Sequence, residues 1–271
     1  MDRCQQIERS IIKKYRKPIW NNFIGSLKDY RMIQAGDRIA VCISGGKDSF
    51  LLAKCLQELQ RHGSDVPFEL EYIVMDPGYK PENRRCIDEL LDIMQIPAHI
   101  FESPIFSVVD KQEGTPCYLC ARMRRGYLYK YAQSLGCNKI ALGHHFDDVI
   151  ETIMMSMLYG AEMRTMMPKL HSLNYPGMEL IRPLYLVRER DITAWARYND
   201  LSFIRCACSV SDKRENGSKR AEIKALLETI RTTNPQADIN IFRSAENVNL
   251  ETIIGYHKGD QTTSFLDTYD L

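Results

Sequence analysis

The stretch Ser44-Gly45-Gly46-Lys47-Asp48-Ser49 has the composition of an anion site. Adjacent glycines let the backbone approach a phosphate without a Cβ and adopt φ > 0. If a helix begins here, its unbonded N–H groups and the positive end of its dipole face that phosphate. Ser44 and Ser49 add hydroxyls and Lys47 adds a cation. Asp48 adds a carboxylate able to hold Mg²⁺ or orient a nucleotide. Spacing excludes two other phosphate loops. A Walker-type P-loop needs glycine five residues before the Gly46-Lys47 pair, and Val41 stands there. The G-x-G-x-x-G pattern fails because Gly45 and Gly46 are adjacent and no third glycine follows in register.

Three further groups can do chemistry. Asp76-Pro77-Gly78 and Gly143-His144-His145-Phe146-Asp147-Asp148 each follow an apolar run. Asp76 is positioned to contact a nucleotide. Asp147 is a candidate for Mg²⁺ binding or proton transfer, against the simpler role of helix cap. His144 and His145 read as packing and hydrogen-bonding residues beneath the site. Cys117-Tyr118-Leu119-Cys120 places two thiols on one helix face, and Cys206-Ala207-Cys208 lies far downstream. Spacing alone leaves three uses open: a structural zinc site, an iron–sulfur cluster on three cysteines, and a redox pair. The segment Arg122 to Tyr131 interleaves cations with aromatics, a pattern suited to RNA phosphates and exposed bases. Lys13, Lys14, Arg16 and Lys17 could extend such a patch.

Positioning these groups falls to alternating strands and helices. Arg38–Ile43, Glu69–Met75, Ala98–Phe101 and Lys139–Leu142 read as strands. Helices are expected over residues 1–30, from Ser49, and over Glu82–Met94, Cys117–Ser134, Asp147–Tyr159, Arg188–Asn199 and Ser218–Thr232. Leu201–Ile204 reads as one more apolar strand, and Gly259–Leu271 as a loosely held tail. Alternation of this kind predicts a parallel sheet with helices on both faces. Ligands of such sheets sit beyond the carboxyl ends of the strands, so the loops after Ile43, Met75 and Leu142 should share one site.

The 271 residues suffice for a full α/β core. With 36 Lys and Arg against 35 Asp and Glu, net charge +1, bulk charge does not announce a nucleic-acid binder. Any such surface must be a local patch. No run of apolar residues reaches membrane length and the N-terminus is polar, so a cytoplasmic protein is expected, its nine cysteines reduced or metal-bound. Cys4, Cys42, Cys55, Cys86 and Cys137 read as inert.

Together these strings resemble the tRNA 2-thiocytidine synthetases within the PP-loop ATP-pyrophosphatases. Ser44–Ser49 matches the superfamily signature S-G-G-x-D-S. The narrower resemblance rests on Gly36-Asp37-Arg38-Ile39, on Cys117-Tyr118-Leu119-Cys120 with Arg122-Met123-Arg124-Arg125-Gly126, and on Ala141-Leu142-Gly143-His144-His145 with Asp147-Asp148. Ile181-Arg182-Pro183-Leu184 and Arg188-Glu189-Arg190-Asp191-Ile192 also match, and the resemblance runs over roughly residues 1–235. It implies a PP-loop domain over 37–205, between an N-terminal helical segment (1–36) and a C-terminal helical segment and tail (206–271). It implies ATP at Ser44, Gly45, Gly46, Lys47, Asp48, Ser49, Asp76 and Gly143, and catalytic work by Asp48, Asp147 and Arg124. It also implies Mg²⁺ and a [4Fe–4S] cluster on Cys117, Cys120 and Cys208, with Cys206 the alternative third ligand. The family usually has C-x-x-C at this second position, where this chain has C-x-C. The implied reaction is ATP-dependent thiolation of a tRNA cytidine. Its expected partners are tRNA and a sulfur donor such as a cysteine desulfurase, with no membrane and optionally a homodimer. The competing readings are a PP-loop enzyme for another base, a lysidine-synthetase-like ligase, and a non-turnover ATP- and cluster-binding redox sensor. The cysteine pair argues against the ligase and the intact loop against the sensor.

Overall fold

A computed structural model describes residues 1–63, 66–109, 116–204 and 218–270. In β1 (Arg38–Ile43), Ile39, Val41 and Ile43 enter one hydrophobic core, and Ala40 and Cys42 enter another. This two-residue alternation means that both faces of the sheet are covered.

The strands β2 (Glu69–Asp76), β3 (Ala98–Glu102), β4 (Lys139–Ala141), β5 (Lys169–His171) and β6 (Glu179–Ile181) complete a six-stranded sheet of order β3-β2-β1-β4-β6-β5. All pairings are parallel except β5 with β6. The expected parallel sheet therefore carries one antiparallel edge. The order reverses at β1, between β2 and β4, and a ligand crevice opens at the carboxyl ends there.

The larger core holds α3 (Lys47–His62), α4 (Pro81–Ile93) and α7 (Phe146–Gly160). It also takes in α1 (Arg3–Arg9), α2 (Asn21–Asp29), α8 (Glu189–Tyr198), α9 (Lys219–Thr233) and α10 (Ala237–Ser244). The thinner core lies under α6 (Pro116–Ser134), where small Ala40 and Ala132 admit close packing; a short α5 (Ile105–Val109) precedes it. Between α1 and α2 the chain winds as wide π-type turns, Ser10–Lys14 and Arg16–Trp20. Among the described residues no helix is long and apolar enough to cross a membrane.

Two expectations are corrected. Leu201–Ile204 forms no strand. Phe203 instead packs on Phe50 and Trp195, and Ile204 packs against Gly45. The apolar run marked burial and not pairing. Within the tail expected to be loose, β8 (Gln261–Ser264) pairs with the preceding β7 (Gly255–Lys258) as an exposed hairpin closed by Phe265 N–H on the Ile254 carbonyl.

Beneath the sheet a buried cation ties three segments together. Lys139 Nζ lies 2.9 Å from Asp37 Oδ2 and 2.9 Å from Glu179 Oε2, and donates to the Met32 carbonyl at 2.8 Å. Removing one member of a buried ion group strands the others without compensation. Lys139→Met should therefore cost about 3–5 kcal/mol in urea unfolding. A loss within about 0.5 kcal/mol, typical of a surface change, would contradict this account.

Candidate active site

The loop after β1 is set by one left-handed residue and one hydroxyl. Gly45 has φ +89, and a Cβ there would stand 2.4 Å from Ile204 Cδ1. Ser49 Oγ donates to the Gly46 carbonyl at 2.8 Å and accepts the Ser44 N–H at 3.1 Å, closing the loop on itself. Gly46 precedes α3 and offers no side-chain cap. The first amides of α3 are thus left for an anion.

Gly143, in the loop after β4, forms the opposite wall. A Cβ on it would lie 3.0 Å from the Asp48 carbonyl carbon, 3.0 Å from the Ser49 nitrogen and 3.1 Å from the Asp48 oxygen. These neighbours are backbone and cannot swing away.

Charge is concentrated at the start of α3. Lys47 Nζ lies 3.3 Å from Asp48 and 3.1 Å from Glu189 Oε1. Burial alone would lower the Lys47 pKa, but Asp48 and Glu189 more than offset it and hold the ammonium charged. Burial pushes Glu189 up, yet Lys47 and Lys224 bring it down to about 2. Burial holds the Asp48 carboxyl above its ordinary value, against the pull of His145 and Lys47. Asp48 Oδ1 is buried without a hydrogen-bond partner, so it can accept an incoming cation such as Mg²⁺. Among the described residues no group of three or more His, Cys, Asp or Glu is arranged to hold a metal. A metal here would need phosphate oxygens to complete its shell.

The other acids are engaged by protein donors. Asp76 Oδ1 accepts the Gly78 and Tyr79 N–H groups at 2.9 and 2.8 Å, and Oδ2 accepts from Arg84 at 3.1 Å. It thereby shapes the loop that brings the Tyr79 hydroxyl to the Ser44 carbonyl, 3.3 Å away. Asp147 accepts the Glu189 N–H at 2.7 Å and Arg231 at 2.9 Å, so it anchors the start of α8. Asp148 accepts the His145 N–H at 3.0 Å and Arg220 at 2.9 Å, and His145 Nδ1 accepts the Asp148 N–H in return. His145, not Asp147, caps α7, with Asp148 completing its capping box, while Asp147 bonds the first N–H of α8.

Arg124 lies over the Phe106 ring, 5.5 Å from its centroid, with Nε buried and unpartnered. Cys120 is half-buried and free, in the same apolar group as Phe106. Arg124 and Cys120 are both close enough to Tyr79 to act on its titration. The Cys117 side chain and the whole of Cys206 and Cys208 lie outside the described residues. Burial raises the Cys42 and Cys55 thiols well above their ordinary values, consistent with inert hydrophobes. Two rings of α6 are engaged within the protein. Tyr129 stacks on Tyr175, and Tyr131 on Phe101, so the sheet uses them while Arg122, Arg125 and Lys130 stay exposed.

Sequence reasoning assigned no role to Glu189, Tyr79 or Arg182. Arg182 follows β6, near His144; burial lowers its pKa to about 10, and its Nε has no partner. Burial, aided by Arg182, brings the His144 pKa down to about 4.

Two consequences are measurable. Gly143→Ala should cost about 1–3 kcal/mol of stability through overpacking and weaken ATP binding by titration calorimetry at least about tenfold, or 1.4 kcal/mol. Unchanged affinity would mean that the two loops move apart freely. For His144, the unfolded chain takes up a proton near pH 6.5 and the folded chain only near 4. Its contribution is therefore intact above about pH 6.5 and lost as pH falls toward 4, on the order of 3 kcal/mol in all. His144→Asn should flatten that part of the stability profile, and parallel profiles for the two proteins would refute it.

The site geometry agrees with comparisons to known proteins. A family model described as a PP-loop domain matches residues 19–223. The tRNA-cytidine(32) 2-sulfurtransferase of Alcanivorax borkumensis is 37% identical over 253 residues, covering 91% of this chain and 86% of that one. The Coxiella burnetii protein of the same name is 36% identical, covering 90% and 91%. Among solved structures, the U34-tRNA thiolase NcsA of Methanococcus maripaludis, with its [4Fe-4S] cluster, superposes with a TM-score of 0.67 at 22% identity. That match covers 88% of this chain and 80% of that one, and it speaks for the fold. The chain belongs to the PP-loop ATP-binding family, in the branch of the tRNA-cytidine(32) 2-sulfurtransferases.

Proposed function

We propose that the chain uses ATP to thiolate C2 of a tRNA cytidine, the one at position 32, with sulfur held on a [4Fe–4S] cluster. The cluster ligands are Cys117, Cys120 and Cys208, with Cys206 the alternative third. The observation that carries this reading is the approach of the Cys120 segment to the ATP loop. Cys120 neighbours Phe106 and lies within electrostatic reach of Tyr79, whose hydroxyl meets the Ser44 carbonyl. Ile204 packs on Gly45, and Cys206 and Cys208 follow it by two and four residues. A half-buried free thiol at Cys120 fits a soft metal donor.

A carbonyl oxygen is a poor leaving group until it is phosphorylated. Cytidine O2 attacks the α-phosphate of ATP, pyrophosphate departs, and O2 carries AMP. The amides at the start of α3 and the Lys47 ammonium stabilise the charge that develops on phosphorus oxygens. Lys47 exchanges its bond to Glu189 for one to phosphate. Asp48 is the residue that would hold Mg²⁺, which when bound would neutralise charge on the phosphates. Asp76 and Asp147 act by fixing the Tyr79 loop and the start of α8. Arg124, held over Phe106 with an unpartnered Nε, is the cation that would face the substrate or the sulfur. When bound, a cluster on these cysteines would supply an iron position that keeps sulfide nucleophilic; sulfur from a donor such as a cysteine desulfurase arrives as a persulfide and would need a two-electron thiol reductant to reach that level. Sulfur adds at C2, the C2–O2 bond breaks, and AMP leaves with the oxygen. Because tRNA and ATP are its substrates, the proposed location is the cytoplasm.

The test is nucleoside analysis of tRNA incubated with anaerobically purified protein, ATP and sulfide, with iron and zinc counted per chain. Wild type should form 2-thiocytidine only with ATP. Cys120→Ala should lose iron and product while binding an ATP analogue normally. Thiolation that survives Cys120→Ala or proceeds without ATP would overturn the mechanism, and stoichiometric zinc without iron would overturn the cluster.

A further inference from the structure

The wide turns at Ser10–Lys14 and Arg16–Trp20 bury Ile11 and Ile19 and turn Lys13, Lys14, Arg16 and Lys17 outward. This segment lies on α8. The Tyr15 hydroxyl donates to the Ala194 carbonyl at 2.9 Å, and Lys14 Nζ sits 3.5 Å from the centroid of the Tyr198 ring. Ser10 Oγ accepts from Trp195 Nε1 and Asn199 Nδ2, which fixes the junction. On α8 itself, Arg190 and Arg197 are exposed, seven residues or about 10 Å of helix apart. They border a cavity of about 600 Å³ between α8 and the C-terminal helices.

Charge accounting separates these cations from their neighbours. Of the other basic groups at the cavity, Arg188 pairs with Asp238, and Arg231 with Asp147 and Asp238. The acid Glu189 is held by Lys47 and Lys224. Lys13, Lys14, Arg16, Lys17, Arg190 and Arg197 form no ion pair among the described residues; the nearby acids are half-buried Asp191 and exposed Glu228, which pairs with Arg231. Six cations without an ion pair, against those two acids, are a local excess on a chain whose net charge is +1. The half-exposed Tyr198 ring adds a stacking surface.

We propose that the outer face of α8, with the Lys13–Lys17 segment, is where the phosphate backbone of the tRNA docks. This inference rests on the thiolation reading and adds the path of the substrate. Glu189, which precedes Arg190, touches Lys47. RNA lying on this face therefore leads directly to the rim of the ATP loop. Phosphates match the isolated guanidinium and ammonium groups, and binding them releases counterions.

The experiment measures tRNA affinity of the whole protein against salt concentration, for wild type and for the Arg190→Ala/Arg197→Ala double variant. Binding of an ATP analogue serves as the control for folding. The double variant should bind the analogue like wild type. Its slope of log affinity against log salt should be shallower by about 1.4–1.8, since each phosphate contact contributes about 0.7–0.9. Lys13→Ala/Lys14→Ala/Arg16→Ala/Lys17→Ala should flatten it further, and thiolation should suffer in the KM for tRNA. Unchanged slopes and affinities in both variants, beside a wild type that thiolates, would overturn the docking face and leave the function standing. The docking face falls equally if the variants lose kcat alone, or if they fail only to take sulfur from an acidic donor protein. A wild type that neither binds nor thiolates tRNA would sink both proposals.

Discussion

Two backbones that touch with no room for a side chain between them set the geometry of this protein. Gly143 rests on the peptide between Asp48 and Ser49. The loop after β4 and the start of α3 are therefore one continuous floor. Parallel pairing of Val41 with Ala141 brings the two strands to the same height just before that contact. Gly45, in its left-handed conformation beneath Ile204, closes the third side. The uncapped amides of α3 stay open because nothing larger than hydrogen projects where these segments meet. An anion is the natural occupant of such a cradle.

Around that floor, carboxylates act mostly as braces. Asp76 holds the Tyr79 loop, Asp147 holds the start of α8, and Asp148 locks His145. Each accepts from at least two protein donors, so the first helical turns are fixed before any ligand arrives. Asp48 is the exception, with an unbonded buried oxygen, and it lies beside Lys47. The reactive groups are thus set apart from the supporting ones by hydrogen bonding, although all of them are acids in Gly-rich loops. Arg220, Lys224 and Arg231 bring α9 into the same network through Asp148, Glu151, Glu189 and Asp147.

Much of this was legible in the residues. An apolar, β-branched run, a Gly-Gly turn and a periodic helix announce β1, the loop and α3, because local patterning and tertiary role agree there. The three-residue strands β5 and β6 were not legible. Their ends carry Lys169, His171 and Glu179, and Glu179 is tolerated only because Lys139 neutralises it from another strand. Pairing that depends on a distant partner leaves no local signal. Leu201–Ile204 failed in the opposite sense, its apolarity serving the contact with Phe50 and Gly45. Glu189 carried no mark of its own, since its relation to Lys47 spans 142 residues. The internal stacking of Tyr129 and Tyr131 was not legible, because a ring reads the same in sequence whether it stacks on a base or on Phe101.

The near-neutral total charge conceals a sorted surface. With 36 basic and 35 acidic residues, random mixing would leave no field for a polyanion to follow. Here many acids are drawn inward as caps and ion-pair partners for Lys139, Arg188, Arg220 and Arg231. Cations outside those pairs are left on the exterior of α8 and the N-terminal turns. The same bonds that fix the site therefore also create a positive face next to it, and net charge is blind to both.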